Sequence, residues 1–132
     1  MESVISLKNC KADWEPNGKV LVKTMLGFTT GKEKEDLFLT GYEKVKKENG
    51  KKWLSDNRKL KPWSQDDIKW INEVWFVKMM SAGWKYWAIV EPESIVGNMS
   101  MKNFIEFYKE KGLEVKIFNT LETALEWLRS VN

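Results

Sequence analysis

The segment from Lys52 to Gly83 constrains the fold of this chain more than any other part of the sequence. It combines a short apolar strand pattern, a polar corner at Asp56-Asn57-Arg58, and a long helix pattern that begins near Ser64. A surface helix needs only one apolar stripe, which faces the core. This helix is apolar on more than one side, so its second apolar surface calls for a partner, a ligand or another layer of protein.

The remaining chain repeats the alternation of strand and helix. The turn residues Pro16-Asn17-Gly18 lie between strand patterns at 4–9 and 19–26, which predicts an N-terminal hairpin. Further strands are predicted at 52–56, 84–90 and 115–118, and helices at about 30–50, 64–83, 100–111 and from 120 onward. The order β-β-α-β-α-β-α-β-α predicts one α/β domain over residues 1–132, with a mostly parallel, mixed five-stranded sheet covered by helices.

Two of the helix starts carry capping signals. Thr30-Gly31-Lys32-Glu33 matches a capping box, in which the threonine and glutamate side chains satisfy free backbone amides. Ser64 can cap the helix that follows it, and Asp66 and Asp67 suit the positive first turn of that helix. Trp63 precedes this cap and can fold onto either surface of the helix.

Composition places the chain among soluble globular proteins and limits its chemistry. It is 42% hydrophobic and 31% charged, and it contains no apolar run of about 18 residues, so no transmembrane segment is predicted. The start lacks a secretory signal, and Cys10 is the single cysteine, which together favour the cytoplasm. With no histidine and no Gly-rich phosphate loop, the sequence predicts a protein that is not an enzyme and has no cofactor and no metal.

The net charge of +3 does not indicate a nucleic-acid partner. Most lysines are interleaved with glutamates, which is typical of solvated helix faces. A nucleic-acid-binding domain usually carries a clustered basic patch together with stacking aromatics or a known motif. No such motif is present here.

Two polar positions follow strands at the edge where ligands of open α/β sheets bind. These are the Asp56–Arg58 corner after the third predicted strand and Glu91-Pro92 after the fourth. Arginine is rare in this chain and is preferred where a fixed, bidentate hydrogen-bond geometry is needed. Arg58 either pairs with Asp56 to hold the corner or binds an anion.

The long helix can be divided into faces at about 100° per residue. One narrow sector is predicted to face the sheet and comprises Ile68, Ile71, Trp75, Met79 and Ala82. Trp70, Val74 and Val77 lie on nearly the opposite side and form an outward apolar stripe. This stripe is either an interface or ligand wall, or it is covered by a neighbouring loop or terminus. The apolar loop at 95–99 either packs over helix ends or acts as a lid.

Four stretches carry a family resemblance: WLSDNRKL, SQDDIKWINEVWF, WAIVEPESIVGNMSMKN and VKIFNTLETALEWL. They resemble the bacterial STAS-like domains, also described as SpoIIAA-like, which are related to anti-sigma-factor antagonists and similar in shape to CRAL-TRIO lipid-transfer domains. The resemblance implies a STAS-like sheet with helices, a cytoplasmic location and no established catalysis. The antagonists carry a phosphorylatable serine where Ser64 stands, but the motif around it is missing here, so an N-cap role accounts for Ser64 better.

These observations favour a non-enzymatic, cytoplasmic STAS-like domain that acts as a regulatory or protein-interaction module, by self-association or with a protein partner. The alternative is a binding domain for a small apolar or lipid-like ligand, with walls at Trp63, Phe76 and the 95–99 loop, and with Arg58 holding an anionic head group. The candidate partner- or ligand-binding residues are Asp56, Arg58, Trp63, Ser64, Trp70, Val74 and Val77.

Overall fold

Six strands and four helices make up the protein, and the computed structural model describes all 132 residues. The strands are β1 (Glu2–Ser6), β2 (Cys10–Glu15), β3 (Val20–Met25), β4 (Lys52–Asp56), β5 (Tyr86–Val90) and β6 (Glu114–Phe118). The helices are α1 (Gly31–Lys47), a long helix made of α2 (Gln65–Trp70), a π-helical segment (Ile71–Trp75) and α3 (Phe76–Ser81), then α4 (Met99–Lys109) and α5 (Leu121–Ser130). None of the helices is both long enough and apolar enough to cross a membrane.

The strands lie side by side in the order in which they occur in the chain. β1, β2 and β3 pair antiparallel, whereas β3 through β6 pair parallel. Each parallel connection moves one strand in the same direction, and crossovers of one handedness then place their helices on the same face of the sheet. Accordingly α1, the long helix and α4 pack on one face, here called the helical face, and α5 packs on the other, the α5 face.

The general α/β class and the mixed sheet are as predicted, but the count of five strands is wrong. The turn after Pro16 does join two antiparallel strands, β2 and β3, and a further strand, β1, precedes them. β2 was missed because its sequence, CKADWE, is poor in β-branched residues. Its alternation of apolar and charged residues is nevertheless that of a half-buried strand.

Aromatic side chains dominate the core on the helical face. Trp53 of β4 and Trp75 of the long helix are fully buried there, with ring centroids 4.9 Å apart. Phe38 of α1 stacks on Trp53 with an interplanar angle of 5°. Helix α1 approaches the sheet closely at Gly41, where a Cβ atom would lie 2.6 Å from the Trp53 ring. The α5 face has a smaller core, formed by Val20, Val22, Leu54, Tyr86, Ala88 and Val90 of the sheet with Ala124, Leu125 and Leu128 of α5.

The two predicted helix caps behave differently. Ser64 caps the long helix as predicted, since its hydroxyl accepts a hydrogen bond from the Asp67 amide at 3.0 Å. Thr30 occupies the N-cap position of α1 but makes no capping hydrogen bond. Its hydroxyl instead donates to the Asp67 carboxylate at 2.8 Å, so a predicted local cap is in fact a contact between two helices.

A π-helical segment interrupts the long helix, but most of the predicted core face is retained. Within it the Phe76 amide donates to the Ile71 carbonyl, five residues earlier, so rotation at 100° per residue no longer holds. Trp75 and Met79 are buried as predicted, and Ile71 and Ala82 pack against the core. Ile68 was predicted to face the sheet, and this is wrong, because it is 46% exposed.

Candidate functional site

A cavity of about 270 Å³ lies on the helical face, at the carboxyl ends of β3, β4 and β5. Its apolar walls come from the sheet, α1, the segment before α2, the long helix and α4, and comprise Phe38, Leu60, Trp63, Ile68, Ile71, Trp75, Trp87, Ile89, Met101, Phe104 and Tyr108. Its polar lining consists of Lys23, Ser55, Asn57, Asn72 and Glu91. Predominantly apolar walls with a few polar groups are typical of small-molecule sites, and the carboxyl edge of parallel strands is their usual place.

Lys23, near the end of β3, is the most unusual of these polar residues. It is only 4% exposed, and its ammonium group makes no ion pair within the protein. The Nζ atom lies 4.6 Å from the ring centroid of Phe38 and 6.0 Å from that of Trp63. Burial lowers the pKa of Lys23 to about 8, although negative charge at Cys10, Glu91 and Asp56 opposes the shift.

Two groups near Lys23, the Ser55 hydroxyl and the Trp75 indole N–H, also have a polar hydrogen that no acceptor in the protein takes up. The Ser55 hydroxyl, level with Lys23 in the parallel register, accepts from the indole N–H of Trp53 at 3.2 Å and of Trp87 at 3.0 Å. A hydroxyl oxygen accepts two hydrogen bonds, so its own hydrogen is left to be donated. The buried Trp75 indole N–H has no partner either. The floor of the cavity therefore offers donors at Lys23 and Ser55, and the Trp75 indole N–H is buried beside it.

Acceptor groups lie at the loop side of the cavity. The Asn57 side chain donates to the Glu91 carboxyl at 3.5 Å, while its own buried Oδ1 atom has no partner. Burial raises the pKa of Glu91, and the hydrogen bond from Asn57 and the charge of Lys23 work in the opposite direction. The cavity thus has a carboxyl group that holds its proton more readily than an exposed glutamate.

The helix side closes the cavity through one further polar contact. The Tyr108 hydroxyl of α4 donates to Asn72 Oδ1 of the π-helical segment at 3.1 Å, and burial raises the pKa of Tyr108. Trp63, Ile68 and Met101 are only partly buried and form the rim. Asn72 and Trp75 of the π-helical segment both line the cavity, which fits the frequent occurrence of such turns at functional sites.

The Asp56–Arg58 corner lies elsewhere. Arg58 donates to both carboxylate oxygens of Asp56, at 3.0 and 2.7 Å, so the geometry is that of the local pair. Asp56 belongs to the α5-face side of β4, and both residues line a groove near Leu121 on that face. Arg58 and Trp63 therefore line different surfaces, and the structure does not bring them together around one cavity as predicted.

The predicted ligand walls are only partly correct. Trp63 lines the cavity, but Phe76 does not, and it packs instead against Trp84 and Tyr108. The 95–99 loop does not line it either, and Met99 points largely into solvent. Met101 and Phe104 of α4 supply the wall that was assigned to this loop.

The outward stripe of the long helix is divided. Trp70 is half-buried against Phe38 of α1, with ring centroids 6.2 Å apart, and Lys34 lies 4.9 Å above its ring. Val74 is half-buried, whereas Val77 is 57% exposed. Trp70 is therefore largely covered by another part of the chain, and Val77 alone of the three presents a large apolar area.

Glu91 and Asn57 lie at the predicted edge of the sheet, whereas Lys23 is a cavity residue that was not predicted. The missing signal lies in the run VLVKTM, where one charge interrupts a strand that is buried on both faces. Period-two alternation places Lys23 on the same face of the strand as Leu21, so the pattern predicts a lysine within the core. Such a charge is costly unless it is paired or functional.

The protein has no cluster of His, Cys, Asp or Glu side chains arranged to hold a metal ion. Function is therefore inferred from the cavity and from the side chains that line it. The resemblance to STAS-like domains stays a prediction. Comparison with protein-family models, with curated proteins and with solved structures gave no match to this chain.

Proposed function

We propose that this protein is a binding domain for a small, largely apolar molecule that carries acceptor oxygens at one end. The observation that supports it most is the buried, unpartnered ammonium group of Lys23 at the floor of an aromatic cavity. Burying a charge without a partner costs roughly several kcal/mol of folding free energy. Such a charge is therefore retained where another group compensates for the cost. An oxygen-bearing ligand head group would supply that compensation.

The chemistry of the lining indicates which end of the ligand goes where. The donors at Lys23 and Ser55 have no acceptors within the protein, so they fit a carboxylate or a carbonyl oxygen. The aromatic and aliphatic walls fit a hydrocarbon or aryl body. At roughly 30 Å³ per water-sized group, the cavity holds about nine or ten non-hydrogen atoms, which is the size of octanoate.

Titration with octanoate, followed by tryptophan fluorescence, tests the proposal, since Trp63, Trp75 and Trp87 line the cavity. Lys23→Met should weaken octanoate binding about 10- to 100-fold, because a hydrogen bond to a charged group contributes about 1.5–3 kcal/mol. The same variant should bind neutral 1-octanol like the wild type.

Lys59→Met is the matched control, because it removes the same charge from an exposed position. It should leave octanoate binding unchanged. Absence of octanoate binding to the wild type, or equal weakening by both variants, would contradict the proposal.

A second candidate function is the protein-interaction module, acting through Trp70, Val74 and Val77. The wide exposure of Val77 favours it. Light scattering of the wild type beside Val77→Glu is the test, since this exposed change should cost less than about 0.5 kcal/mol of stability. A larger particle that becomes monomeric in Val77→Glu would support self-association, and a monomer in both would count against it.

Three further properties belong to the proposed function: the absence of turnover, the family and the cellular location. We propose binding without turnover, since the chain has no histidine and no nucleotide motif. Membership of the STAS-like branch is supported by the four stretches that resemble it. A cytoplasmic location is supported by the single buried cysteine, Cys10.

A further inference from the structure

We infer that Lys23 forms a reversible imine with an aldehyde group of a ligand seated in the cavity. The inference rests on the proposed binding function and names the ligand class more closely. Its basis is geometric, because the Nζ atom of Lys23 lies at an apolar cavity and makes no hydrogen bond or ion pair, only contacts with the ring faces of Phe38 and Trp63.

The other two buried lysines make the contrast clear. Lys34 forms an ion pair with Asp67 at 2.7 Å, and the Lys52 ammonium donates to the Leu128 carbonyl. Neither residue lines the cavity. Of the three, Lys23 alone has an ammonium group that is free to meet a ligand.

The protonation state of Lys23 suits nucleophilic attack. With the pKa lowered to about 8, about a quarter of Lys23 is neutral at pH 7.5, against about one part in a thousand for a lysine with the ordinary value. Desolvation in an apolar pocket is a known way to activate a lysine amine. The titratable groups around Lys23 are Cys10 of β2, Asp56 of β4, Glu91 after β5 and Tyr108 of α4.

The reaction balances without any external oxidant or reductant. The lone pair of neutral Nζ forms a C–N bond with the carbonyl carbon, and the carbonyl oxygen becomes the hydroxyl of a carbinolamine. This hydroxyl then leaves as water, so both amine hydrogens of Lys23 end in that water and a C=N bond remains. Hydrolysis reverses the sequence.

Other cavity groups are placed to assist these steps. The Ser55 hydroxyl offers a hydrogen bond to the carbonyl oxygen. The carboxyl of Glu91, whose pKa burial raises, can donate a proton to the departing hydroxyl and recover it afterwards.

Reductive trapping with octanal and cyanoborohydride tests the inference. The hydride converts an imine to a stable secondary amine, so peptide mass mapping locates the octyl group. Lys23 should be alkylated at least about tenfold faster than any other lysine, because far more of it is neutral. Labelling should rise with pH through a midpoint near pH 8, where half of Lys23 is neutral.

Two controls separate the cavity from surface chemistry. Octanoate should compete with octanal and suppress labelling of Lys23 without affecting surface lysines. Lys59→Met should be labelled at Lys23 like the wild type, and Lys23→Met should lose the selective label.

The outcomes distinguish this inference from the proposed function. Octanoate binding that depends on Lys23, together with even labelling of surface lysines by octanal, would overturn the imine and leave the binding function standing. Absence of both octanoate binding and selective labelling would overturn both.

Discussion

Lys23 and Lys34 lie on the same face of the molecule, are equally buried at 4% exposure, and each have an aromatic ring beneath the ammonium group. Their surroundings differ. Lys34 lies 2.7 Å from the Asp67 carboxylate, which also accepts a hydrogen bond from Thr30, whereas Lys23 faces an apolar cavity and forms no ion pair with a carboxylate.

The difference separates a lysine whose charge is paired within the protein from the lysine that we propose meets a ligand. Burial by itself would raise the pKa of Asp67, but the hydrogen bonds from Lys34 and Thr30 outweigh it and lower the value to about 2. That network is complete and joins the starts of α1 and the long helix. The Lys23 region is incomplete, and an incomplete buried polar group indicates a place for a ligand.

The largest effect should come from Asp67→Leu. The change leaves the Lys34 charge buried without its partner, so the free energy of unfolding should fall by about 3–5 kcal/mol. Urea denaturation measures it. The double variant Lys34→Met/Asp67→Leu should recover most of the loss, because the charge is then gone as well. A single variant within about 1 kcal/mol of the wild type would show that the pair does not hold the two helices.

Lys23→Met should raise the free energy of unfolding, whereas Asp67→Leu should lower it. The wild type folds with an uncompensated buried amine, so the variant should be more stable at pH 7 by about 3 kcal/mol, from a pKa lowered to about 8 from 10.5. The penalty is fully present below pH 8 and is relieved as the pH rises to 10.5, so the two proteins should converge there. A destabilised variant at pH 7 would mean that Lys23 is structural like Lys34.

Low pH should weaken the Asp67 network in the wild-type protein, because protonation of Asp67 removes its charge. The pKa of Asp67 in the folded protein is lowered to about 2, so the stabilisation is complete above pH 4 and is lost as the pH falls towards 2. The wild type should lose about 2 kcal/mol more than Lys34→Met/Asp67→Leu between pH 5 and pH 2. Urea midpoints at the two pH values give the comparison, and parallel losses would contradict it.

Arg58→Gln should have the smallest effect and sharpens the comparison from the other face. Its side chain is 43% exposed, so loss of the pair with Asp56 should cost less than about 1 kcal/mol. Octanoate binding should not change, because Arg58 lines the groove near Leu121 and not the cavity. Binding weakened to the same degree as in Lys23→Met would mean that the ligand enters from the α5 face.

Much of the fold could be predicted where local signals agree with the tertiary structure. The predicted strand at 52–56 matches β4, Ser64 caps the long helix, and Gly83 ends it with a positive φ of 92°. β2 was missed because its residues are weak strand formers that are held in place by strands on both sides.

The cavity was harder to predict for two physical reasons. The π-helical segment depends on how the long helix packs in the folded protein. No residue pattern in Ile71–Trp75 predicts the extra residue in its turn. Lys23 owes its significance to what surrounds it, since only the folded sheet places it level with Ser55. The site was predicted at the correct edge of the sheet, but the cation predicted there was Arg58, and the one that lines the cavity is Lys23.

The strand order of the sheet bears on how the chain is made. Each new strand from β2 to β6 adds to the edge left by the one before it, so the sheet can grow during synthesis from the N-terminal side. α5 follows all six strands, and it alone covers the apolar surface that includes Val22, Leu54 and Ala88. Until residues 121–130 emerge from the ribosome, that apolar surface stays open to contacts with other chains.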